Sequence, residues 1–139
     1  MARSRVISKS RIPEAQAAIA REMDGLVFRI ANSIRNEAVK LVQSGSRSGR
    51  TYKRGGVTHQ ASAPGEPPKT DTGALVRSIR VEHTPGSGTA RVVVGAKYAA
   101  ELEFGTKKMA PRPFLRPAIA KVQSMVAELL KSVSIKVEK

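Results

Sequence analysis

The residues able to do chemistry are few, and their spacing does not suit it. His59 and His83 are the two histidines. A metal centre needs at least a third ligand at a fitting interval, and none is spaced to help, so hydrogen-bonded or solvated imidazoles are expected. Ser62, His59 and Asp71 are the residue types of a nucleophile, its base and an orienting acid. They fall in a Gly- and Pro-rich stretch without the strand–turn–helix elbow that holds a nucleophile in place. Glu101 and Glu103 resemble an acid pair, yet two positions apart on a helix they do not share a face. One or both are expected to meet basic residues of an adjacent subunit. The chain has no cysteine, which removes disulfides, thiol catalysis and Cys-based zinc sites together. No catalytic, cofactor-binding or metal-ligating residue is assigned, and a non-enzymatic role is expected.

A second group of residues is suited to binding. Arg47, Arg50, Lys53 and Arg54, with Lys69, surround Tyr52. Cations of this kind pair with carboxylates or phosphates, and a tyrosine ring stacks on a base or on a guanidinium. The first reading is a protein interface. The second is non-specific contact of Arg47, Lys53 and Arg54 with DNA phosphates. Pro64-Gly65-Glu66-Pro67-Pro68 is a stiff segment that loses little entropy when it packs on a neighbour. The expected interface set is therefore Arg50, Tyr52, Pro64, Gly65, Pro67, Pro68, Glu101 and Glu103. The whole chain is basic, with 25 Lys and Arg against 11 acids and a formal charge of +14, so it attracts polyanions at low salt.

The elements that must position these residues follow from hydrophobic period. At 139 residues the chain is one domain by length. Residues 1–12 form a basic arm. Pro13 and Glu14 open a helix, with proline in the first turn and an acid near the positive end of the dipole. Ile19, Met23, Leu26, Val27, Ile30, Ile34, Ala38, Leu41 and Val42 then recur at steps of three and four, one apolar face ending near Ser44-Gly45. Residues 45–70 are Gly, Ser, Pro and base, and are predicted to be a long loop that, like the arm, becomes ordered on neighbouring chains. Ala74–Ser78 is predicted to be a short helix. Residues 79–83 and 89–95 alternate as an antiparallel hairpin around Pro85-Gly86. Tyr98–Phe104 is a helical turn or two stopped by Gly105. Pro117 begins a last helix through Ile119, Val122, Met125, Val126, Leu129, Leu130 and Val133, and residues 134–139 alternate as a short strand would. Tyr98, Phe104, Gly105, Phe114 and Leu115 are the expected structural core of the junction before that helix. The resulting class is α+β: a long N-terminal and a C-terminal helix packed on a small antiparallel sheet, with a long basic loop. No apolar run has the length of a membrane span.

Three blocks, in order, carry a resemblance. They are Ser48–Tyr52 with His59–Pro68; Asp71-Thr72-Gly73-Ala74-Leu75 with Ser78-Ile79; and Tyr98-Ala99 through Glu103-Phe104-Gly105-Thr106 with Arg112–Ala118. The chain resembles the gene-ten-like tail-component family of tailed bacteriophages. The resemblance implies a structural virion subunit, assembled in the host bacterial cytoplasm, that forms a ring in the head–tail connector or neck. There it would complete the tail or join it to the capsid. Implied partners are further copies of the chain, adjacent connector and tail-tube or tail-terminator proteins, and DNA passing non-specifically through the lumen, with no membrane. The family brings no catalytic residue. The alternative class is a basic nucleic-acid-binding protein, histone-like or ribosome-associated.

Overall fold

A computed structural model describes residues 11–45, 47–68 and 73–131. The described elements are helix α1 (Ile12–Ser44), strands β1 (Thr51–Arg54) and β2 (Val57–Gln60), helix α2 (Ala74–Ser78), strands β3 (Ile79–His83) and β4 (Ala90–Val94), helix α3 (Ala99–Phe104) and helix α4 (Leu115–Lys131). The class is α+β. Most of the basic arm and the strand expected at 134–139 lie outside the described residues.

Helix α1 carries Pro13 and Glu14 in its first turn and is about 50 Å long at 1.5 Å per residue. Its apolar stripe outruns the core. Leu26, Ala31, Ala38 and Val42 are buried, whereas Ile19 and Met23 remain 44% and 47% exposed. The core gathers around the C-terminal half of α1. It joins Ala38 and Val42 to Leu75 of α2, Ile79 of β3, Ala99 of α3, and Phe114 and Ala118 at the start of α4. The three alanines let backbones approach closely, and Phe114, 1% exposed, fills the space they leave. Arg35 Nε of α1 donates to the carbonyl of Ile79 at 3.3 Å, which fixes the entry of β3.

Strands β3 and β4 pair antiparallel from Ile79↔Val94 to His83↔Ala90. Val92 and Val94 pack beside the core. Strands β1 and β2 make a second, separate two-stranded sheet. That sheet corrects the expectation of a long irregular loop at 45–70. Thr51↔Gln60, Tyr52↔His59, Lys53↔Thr58 and Arg54↔Val57 face each other across it. The turn is Gly55-Gly56, with φ of 57° and 80°. Two consecutive positive φ angles are what a two-residue hairpin turn of matching twist requires, and glycine supplies them without a Cβ penalty.

Two residues expected in the core are not there. Tyr98 is 44% and Phe104 67% exposed. Helix α3 has only six residues, so one face can be covered. Ala99 and Glu103 are buried and Leu102 half-buried, while Tyr98 just before the helix and Phe104 at its end stay exposed. The Phe104 ring instead carries the Arg116 guanidinium 5.1 Å from its centroid. Leu115 is half-buried beside the core. Gly105 ends α3 at φ 74°. A Cβ there would stand 2.8 Å from the Met109 carbonyl oxygen and 2.9 Å from Pro111 Cδ, so this turn admits only glycine without moving backbone.

Candidate functional site

The β1–β2 hairpin does not hang free at its base. Gly49 N–H donates to Ala61 O at 2.9 Å and Ala61 N–H to Arg50 O at 3.0 Å, extending the ladder. Glu66 then ties the returning strand down. Its carboxylate accepts from the Ser48 hydroxyl and, at 2.8 Å, from the Ala63 N–H. Gly65 N–H donates to Pro111 O at 3.0 Å. The proline-rich segment is thus fixed on the α3–α4 connection of its own chain. Pro64 and Gly65 are exposed, Pro67 half-buried and Pro68 buried. The placement of Pro68 at a subunit interface is corrected: its ring is already covered intramolecularly.

Between the hairpin and the α2–α3 wall lies a cleft of about 460 Å³. Arg47, Arg54 and Arg112 bring guanidinium groups to it, and Tyr52, His59 and Tyr98 bring rings. Leu75, Leu102 and Pro68 supply apolar wall. No described lining residue is acidic. The alternation of β1 places Tyr52 and Arg54 on the same face. Tyr52 and His59, opposite each other across the ladder, stack with centroids 5.5 Å apart and planes at 21°. Arg112 is held by its backbone N–H, which donates to Leu102 O at 2.7 Å, and by Nη1, which donates to the buried Ser62 hydroxyl at 3.3 Å. Its Nε is buried without a hydrogen-bond partner among the described residues. The three sequence blocks therefore converge on one cleft: Ser62 from the first, Leu75 from the second, Tyr98 and Arg112 from the third. Arg50 and Lys53 are exposed on the hairpin outside the cleft lining.

The chemistry-bearing residues are dispersed. Ser62 is engaged by Arg112, His59 by the Tyr52 ring, and Asp71 lies outside the described residues. Glu101 is exposed. Glu103 is not, and its expected contact with an adjacent subunit is corrected. It is 6% exposed and accepts from the N–H groups of Phe114, Leu115 and Arg116 at 2.9, 3.0 and 2.9 Å. Arg116 Nε adds 3.1 Å to the same carboxylate. Three orphan donors at the start of α4 thus share one anion. Burial pushes the Glu103 carboxyl upward, but these donors and Arg116 outweigh it and hold the group below its ordinary range.

Asp24 is a positioning residue the sequence concealed. It belongs to the polar side of α1, yet its Oδ1 accepts from His83 Nε2 at 3.0 Å and from Gly88 N–H at 2.8 Å, and its Oδ2 from Gly86 N–H at 3.0 Å. The Gly86 and His83 hydrogen bonds, with Gly88 behind them, lower its pKa to about 2. His83 also stacks on Phe28, centroids 4.7 Å apart. The long helix therefore grips the β3–β4 turn. No local pattern announces this, because the partners are some 60 positions apart.

The class so defined is a small α+β domain with a basic, aromatic-rimmed cleft between its outer hairpin and the α2–α3 wall. The model of the HK97-gp10-like family, described as "Bacteriophage HK97-gp10, putative tail-component", matches residues 9–105. The chain belongs to that family of phage tail components. No curated protein and no solved structure matches it significantly. Family membership makes the virion its place and other phage structural proteins its partners. Among the described residues no helix is long and apolar enough to cross a membrane.

Proposed function

We propose that this tail component forms a closed ring in the head–tail connector, or neck, where it completes the tail or joins it to the capsid. Its neighbours there are connector and tail-tube or tail-terminator proteins. The observation that supports a ring is the apolar stripe left uncovered on two packed helices. Ile12, Ile19 and Met23 of α1 and Met125 and Leu130 of α4 are 44–65% exposed. Apolar side chains gathered on a surface mark an interaction site, and a patch that meets a different patch on the next copy gives a ring where the rotation closes. The role is structural, without a catalytic step, in keeping with a serine and histidine already engaged elsewhere. Quantitative mass spectrometry of purified virions tests the reading. Six or twelve copies per particle are expected, and a single copy overturns it.

A second reading is favoured by the exposure of Arg47, Arg50, Lys53 and Arg54 on the hairpin and by the net charge of +14. In that reading the chain is foremost a nucleic-acid-binding protein. A duplex mobility shift at physiological salt, with a protein that stays monomeric and appears once per particle, would establish it in place of the ring.

A further inference from the structure

We propose that the cleft between the β1–β2 hairpin and the α2–α3 wall receives an acidic, partly apolar peptide segment of a different protein. This deepens the tail-component reading and rests on it, since it names the chemistry of a partner at that same surface.

The cleft's charge comes first. Arg47 and Arg112 both line it. The Nε of Arg112 is buried and unpartnered among the described residues, while its Nη1 is anchored on Ser62. Arginine's planar fork matches the two oxygens of a carboxylate, so Arg47 and Arg112 in the cleft lining suit an acidic side chain. The wall comes second. Leu75 and Leu102 line the same space, so an occupant that brings only charge leaves apolar surface wet, whereas one with an apolar side chain beside its acid buries both. The volume comes third. About 460 Å³ is the size of a site for a few side chains.

These features choose among occupants. A DNA duplex is a stiff cylinder that can touch the rim but cannot enter such a cleft, and it has no apolar side chain for the leucine wall. A second copy of this chain is poorly equipped as donor, because most of its described carboxylates are already engaged. Glu37 pairs with Lys121, Glu82 with Arg80, Glu103 with Arg116, Glu128 with Lys131 and Asp24 with His83. Two copies each of +14 also repel at this surface. A separate protein with an acidic, leucine- or phenylalanine-bearing segment fits every feature.

The test uses the full-length protein and three labelled probes at physiological salt: a short peptide alternating Glu with Leu and Phe, an all-Glu peptide of equal length, and a short DNA duplex. The mixed peptide is expected to bind tighter than the all-Glu one. Arg47→Gln and Arg112→Gln are each expected to weaken it about tenfold. Arg29→Gln, an equal loss of charge on the exposed face of α1, should leave it within about twofold. Arg112 is partly internal, so its variant is checked for a cooperative melt, and exposed Arg47 keeps the test independent of that check. Equal binding of the two peptides overturns the proposal, as does equal sensitivity to Arg29→Gln, because either result reduces the site to the field of the whole chain. A duplex that displaces the mixed peptide and loses more affinity than it does in the Arg47 and Arg112 variants assigns the cleft to nucleic acid instead. Binding is read without particles, so it stands or falls separately from the copy number in virions.

Discussion

Arg112 and Arg116 lie four residues apart, and the protein treats them in opposite ways. Arg116 closes a finished site. Its Nε and backbone N–H meet Glu103, its Nη2 donates to the Glu103 carbonyl at 2.8 Å, and its guanidinium covers the Phe104 ring. Arg112 lines an open one, meeting a neutral hydroxyl and keeping a buried Nε unpaired among the described residues. Where the fold needs a charge, it supplies the counter-charge from its own chain. At the cleft, the described side-chain partner of Arg112 is a neutral hydroxyl. The two corners therefore differ in what their loss should do: the Glu103 corner governs stability, and the cleft corner governs association.

The largest expected effect lies beneath the closed corner. Phe114→Ala should destabilise the domain by about 3–5 kcal/mol, the range for emptying a large buried aromatic. Urea denaturation followed by helical circular dichroism checks it. Phe104→Ala, at an exposed ring, should stay within about 1 kcal/mol. If the two variants melt alike, the burial contrast across α3 is wrong.

Glu103 comes next. Glu103→Ala leaves three N–H donors at the start of α4 without their anion, and hydrogen bonds to a charged group contribute about 1.5–3 kcal/mol. A loss of about 3 kcal/mol is expected by the same denaturation, and roughly half of that for Glu103→Gln, which keeps an acceptor but not the charge. The sign with pH follows from the lowered pKa. The contribution is full above the ordinary carboxylate range and disappears as pH falls through the folded value, so wild type and Glu103→Gln should converge in acid.

What sequence reasoning could reach follows the range of the interactions. Elements set by local period were legible: α1, α2, α3 and the β3–β4 hairpin fall within a residue or two of their predicted bounds, and α4 starts two residues before Pro117. The β1–β2 hairpin was hidden by composition. Its strands are exposed on both faces, so no apolar alternation marks them, and the remaining signal was the Gly55-Gly56 pair. Glu103 reads from the sequence as an acid for an adjacent subunit, because nothing local shows that a distant helix start is brought onto it. The cleft shows the same limit. Tyr52, Arg47 and Arg54 are recognisable as binding residues from the sequence, but Tyr98 reads as core and Arg112 only as part of a motif. Their meeting with Ser62 depends on how the Pro64–Pro68 segment docks on Pro111.

Asp24 sets a smaller, local effect. A carboxylate whose pKa is lowered to about 2 by two backbone amides and His83 stabilises the β3–β4 turn above about pH 4 and releases it as pH falls toward 2. The amide resonances of Gly86 and Gly88 should shift with that low midpoint. In Asp24→Asn the titration should vanish and hydrogen exchange at both glycines should accelerate at neutral pH, with the rest of the core unchanged. A midpoint near the ordinary aspartate value of about 3.9 would mean that the grip is loose in solution.

The smallest effect on stability should come from the open corner, and there the comparison is sharpest. Arg47, Arg50, Lys53 and Arg54 are exposed, so replacing each with Gln should change stability by no more than about 0.5 kcal/mol. The quadruple variant should melt cooperatively like wild type. Its defect should appear in particles. If these cations meet acidic segments of neighbouring phage proteins, infection with the variant should accumulate filled heads without attached tails. If they face DNA phosphates, each lost contact should reduce the logarithmic salt slope of duplex binding by about 0.9, and particles should be complete but altered in DNA retention or release. The first outcome is expected for a physical reason. A lining that only steadies passing DNA needs charge alone, and tight pairing there would oppose sliding. The hairpin adds a stacked Tyr52–His59 pair, and the cleft beside it adds a leucine wall. Such features gain from close packing against protein and nothing from a mobile duplex. Electron microscopy of lysates separates the two outcomes directly, since tailless heads and tailed particles differ in outline whatever the infectivity.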